Sequence, residues 1–179
     1  MKKLGHSFGS GSGMSSRSCY FLAYRFVEEH GFRPESAESW IMEGRDGKFH
    51  TGLTQRGWMT SLWCSTEGRV FVSEANGRVF EFVKPAPGPT DYKVHELPGM
   101  LTGVWGLADD CVWVWGLHAG APVLYHWNGE TWRAEAAPGS IVARHGARRD
   151  LCVAVGEGGM IALWNGRTWS RMESPSTMT

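Results

Sequence analysis

The same residues return about every forty positions along this chain. Laid over itself at an offset of 42, the sequence superposes Gly57, Thr60, Trp63, Val70 and Val72 on Gly99, Thr102, Trp105, Val112 and Val114. An offset of 40 then carries Gly99, Gly106, Asp110 and Gly116 onto Gly139, Gly146, Asp150 and Gly156. A period of this length marks a repeat architecture, in which a unit too small to bury its own faces stacks on copies of itself.

Inside each repeat the apolar pattern has period two and is broken by turn residues, which predicts antiparallel strands. In the unit that begins at Gly99, strands are expected at 100–106, Cys111–Trp115, Val123–Trp127 and Trp132–Glu135. Asp109-Asp110, Ala119-Gly120 and Asn128-Gly129 supply the turns between them, the last a pair that accepts positive φ cheaply. The next unit repeats this with Leu151–Val155 and Met160–Trp164, and the preceding one with Arg69–Ser73 and Arg78–Val83 around Asn76-Gly77. Residues 15–56 have the length of one more unit, with Trp40–Glu43 and Lys48–Thr51 as its middle hairpin and Cys19–Val27 read as a strand in preference to a short helix.

The expectation is an all-β chain, a small β-propeller of about four blades, each a three- or four-stranded antiparallel meander. The repeats fall at 15–56, 57–98, 99–138 and 139–174 of a single domain, 14–179. A half-propeller completed by homodimerisation is the alternative. Ring closure is expected to draw on a terminal strand from residues 19–27, since closure hides sheet edges. Gly9-Ser10-Gly11-Ser12-Gly13 has the composition of a flexible spacer, so residues 1–13 read as an added tag and linker.

Ten Trp and 24 Gly in 179 residues suit repeated short strands, the one supplying buried area and the other tight turns. Eighteen basic residues balance eighteen acidic ones, so no long-range field draws in nucleic acid or an anionic membrane. No apolar run approaches the roughly 18 residues that span a bilayer, and no h-region follows Lys2 and Lys3. Cys19, Cys64, Cys111 and Cys152 show no CxxC spacing and read as free thiols, which points to the cytoplasm.

The run Asp109–Gly116, followed by Leu124–Trp132 and echoed by Ile161–Trp169, resembles a blade of the sialidase-like, BNR-type bacterial propellers, with WD40-like blades a related form. The resemblance implies a fold. The Gly-x-Thr-Trp tail of that family's Asp-box is present at Gly129–Trp132 and Gly166–Trp169. Trp127 and Trp164 stand where the box has its Asp, so the turn is expected to persist without its usual hydrogen bonds. The arginine triad, Tyr nucleophile and acid of a sialidase do not assemble from this sequence, and the resemblance therefore implies no glycosidase.

The chemistry-bearing residues support no reactive constellation. Gly156–Gly159 is followed by a strand, where a phosphate loop needs a helix N-terminus. Glu28-Glu29 and Asp109-Asp110 are sequence neighbours, which rarely face each other across a substrate. His30, His50, His95, His118, His126 and His145 recur at no ligand spacing, so neither metal nor cofactor is expected. Serines and cysteines lie in no nucleophile elbow or Cys-His arrangement. Arg144, His145, Arg148 and Arg149 read as a solvated loop, and the in-phase Trp residues as packing between blades.

What remains is a polar ring at one mouth of the propeller, where the loops between second and third strands open. It would hold Glu43, Arg45 and Asp46, then Glu74 and Asn76, then His118, then Glu157. The function expected is a non-catalytic module that binds a protein, for example as an inhibitory or immunity-type partner. A lectin-like carbohydrate-binding propeller is the alternative, and a sialidase-class glycoside hydrolase ranks third.

Overall fold

A computed structural model describes residues 3–15, 18–27, 36–83 and 92–173. Glu28, Glu29 and His30 lie outside the described residues. The described residues form sixteen strands in four sheets of four, each sheet an antiparallel meander in sequence order. Blade 1 holds β1 (Leu4–Ser15), β2 (Ser18–Val27), β3 (Glu38–Arg45) and β4 (Lys48–Arg56). Blade 2 holds β5 (Met59–Cys64), β6 (Arg69–Glu74), β7 (Arg78–Val83) and β8 (Lys93–Glu96). Blade 3 holds β9 (Met100–Ala108), β10 (Cys111–His118), β11 (Ala121–Trp127) and β12 (Trp132–Glu135). Blade 4 holds β13 (Ile141–Arg148), β14 (Leu151–Gly156), β15 (Ile161–Trp164) and β16 (Trp169–Met172). A 3-10 turn, Glu157–Gly159, links β14 to β15. Among the described residues no helix is long and apolar enough to cross a membrane.

The first strands of successive blades lie side by side, β1 against β5, β5 against β9 and β9 against β13. The arc stays open, because β13 does not return onto β1. Blade 1 is built from N-terminal strands alone, so closure does not use residues 19–27 as a shared terminal strand. The Gly-Ser stretch is part of this fold: it lies within β1, which pairs with β2 on either side of an irregularity at Gly9-Ser10. Its hydroxyls also reach the next blade, since Leu62 N–H and Cys64 N–H donate to Ser10 Oγ and Ser12 Oγ at 3.3 and 3.1 Å.

Each inner sheet is apolar on both faces. In β10, alternate side chains point to opposite neighbours. Cys111, Trp113 and Trp115 join a cluster with Cys152, Ala154, Ala162 and Trp164 of blade 4. Val112 and Val114 join one with Phe71 and Val79 of blade 2. A third cluster sets Tyr20, Leu22 and Ile41 against Val70, Val72, Phe80 and Phe82 across blades 1 and 2. Burying one such side chain contributes about 1.5–3 kcal/mol, and none of these sheets could collect that alone.

The repeat spacing has a geometric cause. Trp63 stacks beside Phe71 of its own blade and over Gly106 of the next, where an added Cβ would sit 2.7 Å from the ring. Trp105 repeats this forty-two positions on, beside Trp113 and over Gly146, with 3.0 Å to the added Cβ. The indole needs a glycine opposite it for the sheets to meet. Gly57, Gly99 and Gly139, the first residues of the last three repeats, carry φ of +116°, +113° and +155° where the chain steps from one blade to the next.

Replacing Gly99 by Ala forces an L residue to φ +113° and sets its Cβ 2.7 Å from the Leu117 carbonyl oxygen. The expected loss is about 1–3 kcal/mol for the backbone alone, more with the clash. Gly120→Ala, at φ +79° with nothing within 4 Å, is the control and should cost less. Urea denaturation of the two variants checks this, and equal midpoints would refute it.

Candidate functional site

Antiparallel meanders place alternate turns on opposite rims of the arc. One rim, here the first, carries the turns β6–β7, β10–β11 and β14–β15 together with the steps between blades. The second carries β3–β4, β5–β6, β9–β10 and β13–β14. Of the residues expected at one mouth, Asn76, His118 and Glu157 are exposed on the first rim. Glu74 is there too, but buried and engaged: Arg78 donates Nε–H and Nη2–H to its two oxygens at 2.8 and 2.9 Å, and Asn76 Nδ2–H donates at 3.2 Å. That hydrogen bonding raises the Arg78 pKa further above its ordinary value. Glu74 therefore fastens the turn and is not offered to a ligand.

Glu43, Arg45 and Asp46 lie on the second rim, at the β3–β4 end. The sequence pattern predicts their hairpin to be the second and third strands of blade 1. Because β1 supplies an extra strand ahead of it, the hairpin is the third and fourth, and its turn faces the other way. Glu43 is buried, whereas Arg45 and Asp46 are exposed.

Clefts open on the first rim at two of the blade junctions. Between blades 2 and 3, Asn76, Arg78, Glu96, Pro98 and Gly99 line one of about 470 Å³. Tyr125 O–H fixes its floor by donating to the Pro98 carbonyl at 2.7 Å. Between blades 3 and 4, Thr102, Leu117, Ser140, Val142 and Glu157 line another of about 280 Å³. Sequence reasoning missed Glu96 and Ser140, which sit in the steps between blades and gain meaning only when two sheets are side by side.

The second rim is knitted together. Asp109 accepts from Arg69 Nε–H of blade 2 at 3.3 Å, and Asp110 pairs with Arg149 of blade 4, so one turn is held from both sides. Arg69 also pairs with Glu81, which accepts a second contact from His95 Nε2 at 2.8 Å. Trp127 and Trp164 donate Nε1–H to the Asp109 and Arg149 carbonyls at 3.0 and 2.9 Å. The turn hydrogen bonds expected to be missing are present, moved by one residue. Asn128 Oδ1 accepts from Glu130 and Thr131 N–H, and Asn165 Oδ1 from Arg167 and Thr168 N–H, at 3.0 and 2.9 Å in both turns.

The four residues read as one solvated basic loop have separate fates. Arg148 pairs with Asp150 and Arg149 with Asp110. Arg144 is buried between blades 3 and 4, its guanidinium carbon 3.5 Å from the Trp113 ring centroid, 4.5 Å from Trp169 and 5.7 Å from Trp105. Burial pushes its pKa down to about 10, and the indole faces stand in for an anion.

A Cys-His pairing invisible in the sequence forms in the same interface. Cys111 Sγ lies 3.8 Å from His126 Nε2, and His126 Nδ1 lies 3.0 Å from Glu135 Oε1. The order is that of a nucleophile, base and orienting acid. The environment is not: Cys111 is buried, burial pushes its thiol up to about 11, and Trp113 stacks flat on the imidazole at 4.4 Å. A protonated thiol shut behind an indole attacks nothing. Among the described residues no group of three or more His, Cys, Asp or Glu is placed to hold a metal ion.

No protein-family model matches the sequence, and no curated protein matches it. Solved structures do match the fold. The WD40 β-propeller domain of Doa1 is 11% identical with a TM-score of 0.61, over 100% of this chain and 59% of that one. YCF48 bound to D1 peptide is 13% identical with a TM-score of 0.59, over 96% of this chain and 58% of that one. The RRP9 WD40 repeats are 13% identical with a TM-score of 0.59, over 92% and 63%. This chain thus spans less than two thirds of the length of each, and at such identities the likeness is one of fold: the four sheets are propeller blades.

Burial acts to raise the Glu81 carboxyl, but the His95 hydrogen bond and the Arg69 charge outweigh it, so Glu81 titrates below its ordinary 4.5. A depressed folded pKa gives stability that is present above the unfolded pKa and lost as pH falls through the folded one. Glu81→Gln is therefore expected to lower the unfolding free energy obtained from urea denaturation at neutral pH, by roughly 1–3 kcal/mol. The deficit should shrink as pH drops below the ordinary carboxylate range and through the lower pKa of the folded state, where the wild-type carboxyl protonates too. A pH-independent deficit would assign the loss to packing.

Proposed function

We propose that this chain is a protein-binding module whose contact surface is the first rim of the arc. The observation that supports it is the contrast between rims. The second is occupied by ion pairs and indole hydrogen bonds that join blade to blade. The first presents Asn76, Glu96, His118 and Glu157 to solvent, beside clefts that repeat at successive blade junctions. Exposed polar side chains on rigid turns, next to concave junctions, suit recognition of an extended segment with basic or amide donors for Glu96 and Glu157. A propeller of the same fold, YCF48, has been solved bound to a peptide, which is in keeping with this reading. An inhibitory or immunity-type role is its finer form, in which the rim covers a partner's working surface. The balanced charge and cysteine usage fit a cytoplasmic setting.

A carbohydrate-binding reading has one observation behind it, a cleft of about 360 Å³ lined by Trp164, Trp169, Thr168, Arg167 and Glu135. Sugar titration followed by Trp fluorescence tests it, and an unchanged spectrum removes it.

For the leading reading, immobilised protein is exposed to lysate of the source organism and the stoichiometric partner is identified. The pair Glu96→Lys and Glu157→Lys should weaken that partner's binding at least about tenfold, the level expected of side chains inside a contact. Arg45→Ala with Asp46→Ala, on the other rim, should leave it unchanged. The reverse pattern would move the surface to the second rim and defeat the proposal.

A further inference from the structure

At both ends of the arc, a sheet face of the kind that every interior blade covers is left bare. Cys111, Trp113 and Trp115 of β10 are at most 5% exposed because blade 4 lies on them. Forty positions on, Leu151, Val153 and Val155 hold the same register in β14 and are 36–42% exposed. At the other end, Phe8, Phe21, Met42 and Phe49 line an apolar groove of about 270 Å³ on the outward face of blade 1, with Phe8 73% and Phe49 68% exposed. Bare apolar faces of this kind mark an interface.

We propose that two copies close head to tail into one eight-blade ring, the β14 face of each seated on the Phe8–Phe49 face of the other. The occupant is selected by continuity with the interfaces already inside the chain. The two bare faces are the front and the back of one stack, so joining them repeats the step that carries blade 1 to blade 2 and blade 3 to blade 4. Their chemistry is also complementary. Branched aliphatics at blade 4 meet rings at blade 1, as Phe71 of blade 2 shares a cluster with Val104, Val112 and Val114 of blade 3. Pairing either face with itself would leave the other uncovered. The head-to-tail contact is heterologous and is mirrored twice in the closed ring. It leaves the first rim free, so it stands or falls apart from the binding role proposed above.

Sedimentation of the full 179-residue chain is expected to give twice the 19.9 kDa of one copy. Phe49→Lys and Val153→Glu should each leave only the 19.9 kDa species with an unchanged far-UV circular dichroism spectrum. An equimolar mixture of the two should restore the dimer, because it pairs one unaltered contact with one Lys-Glu contact. Phe8→Lys and Val155→Glu replace either variant that does not fold. A monomeric wild type at all concentrations, sensitivity to one variant only, no recovery on mixing, or an open-ended polymer overturns the proposal.

Discussion

The burial of sheet against sheet is the contact on which everything else in this molecule rests. A four-stranded meander with apolar side chains on both faces has no stable existence alone, because only one of its faces could ever fold over on itself. Stacking solves this once per neighbour. The tryptophans supply the area and the glycines opposite them supply the approach: Trp63 over Gly106 and Trp105 over Gly146 are the same contact made twice. The repeat in the sequence is the trace of this one requirement, renewed at each junction.

Polar groups are consequently pushed to the rims, and the two rims are used differently. On the second, Arg69, Asp109, Asp110 and Arg149 run from blade 2 through blade 3 to blade 4, and the indoles of Trp127 and Trp164 bond to the same turns. That rim reinforces the stack. On the first rim, among the described residues, Arg78 and Asn76 hold Glu74 in one turn, while Glu96, His118 and Glu157 are exposed. Polar groups caught inside the stack are accommodated by aromatic surroundings. Arg144 lies among indole faces, and the Cys111, His126 and Glu135 relay sits behind Trp113 with its thiol protonated.

Propellers that share 11–13% of their residues with this chain share its arrangement of sheets. An arrangement of sheets does not say what a rim contacts, which depends on a handful of turn residues that the packing does not constrain.

The sequence by itself determined all four strands of blade 3, the middle hairpins of blades 2 and 4, and the stacking of repeated sheets. Alternation is a local property, and Trp132–Glu135, read from it, is β12 residue for residue. It also determined that the recurring Trp residues lie between blades, since only a repeated environment returns the same ring at the same spacing. Tertiary structure decided the rest. Gly9–Gly13 has the local preferences of a spacer and becomes part of a strand because β2 and β5 offer its backbone and hydroxyls partners. That one strand shifts the count in blade 1 and sends Glu43, Arg45 and Asp46 to the opposite rim from Asn76, His118 and Glu157. The burial of Arg144, the meeting of Cys111 with His126 and Glu135, and the bridging of three blades by Asp109 and Asp110 all join residues that local sequence patterns do not pair. Such contacts exist only once the sheets have chosen their neighbours.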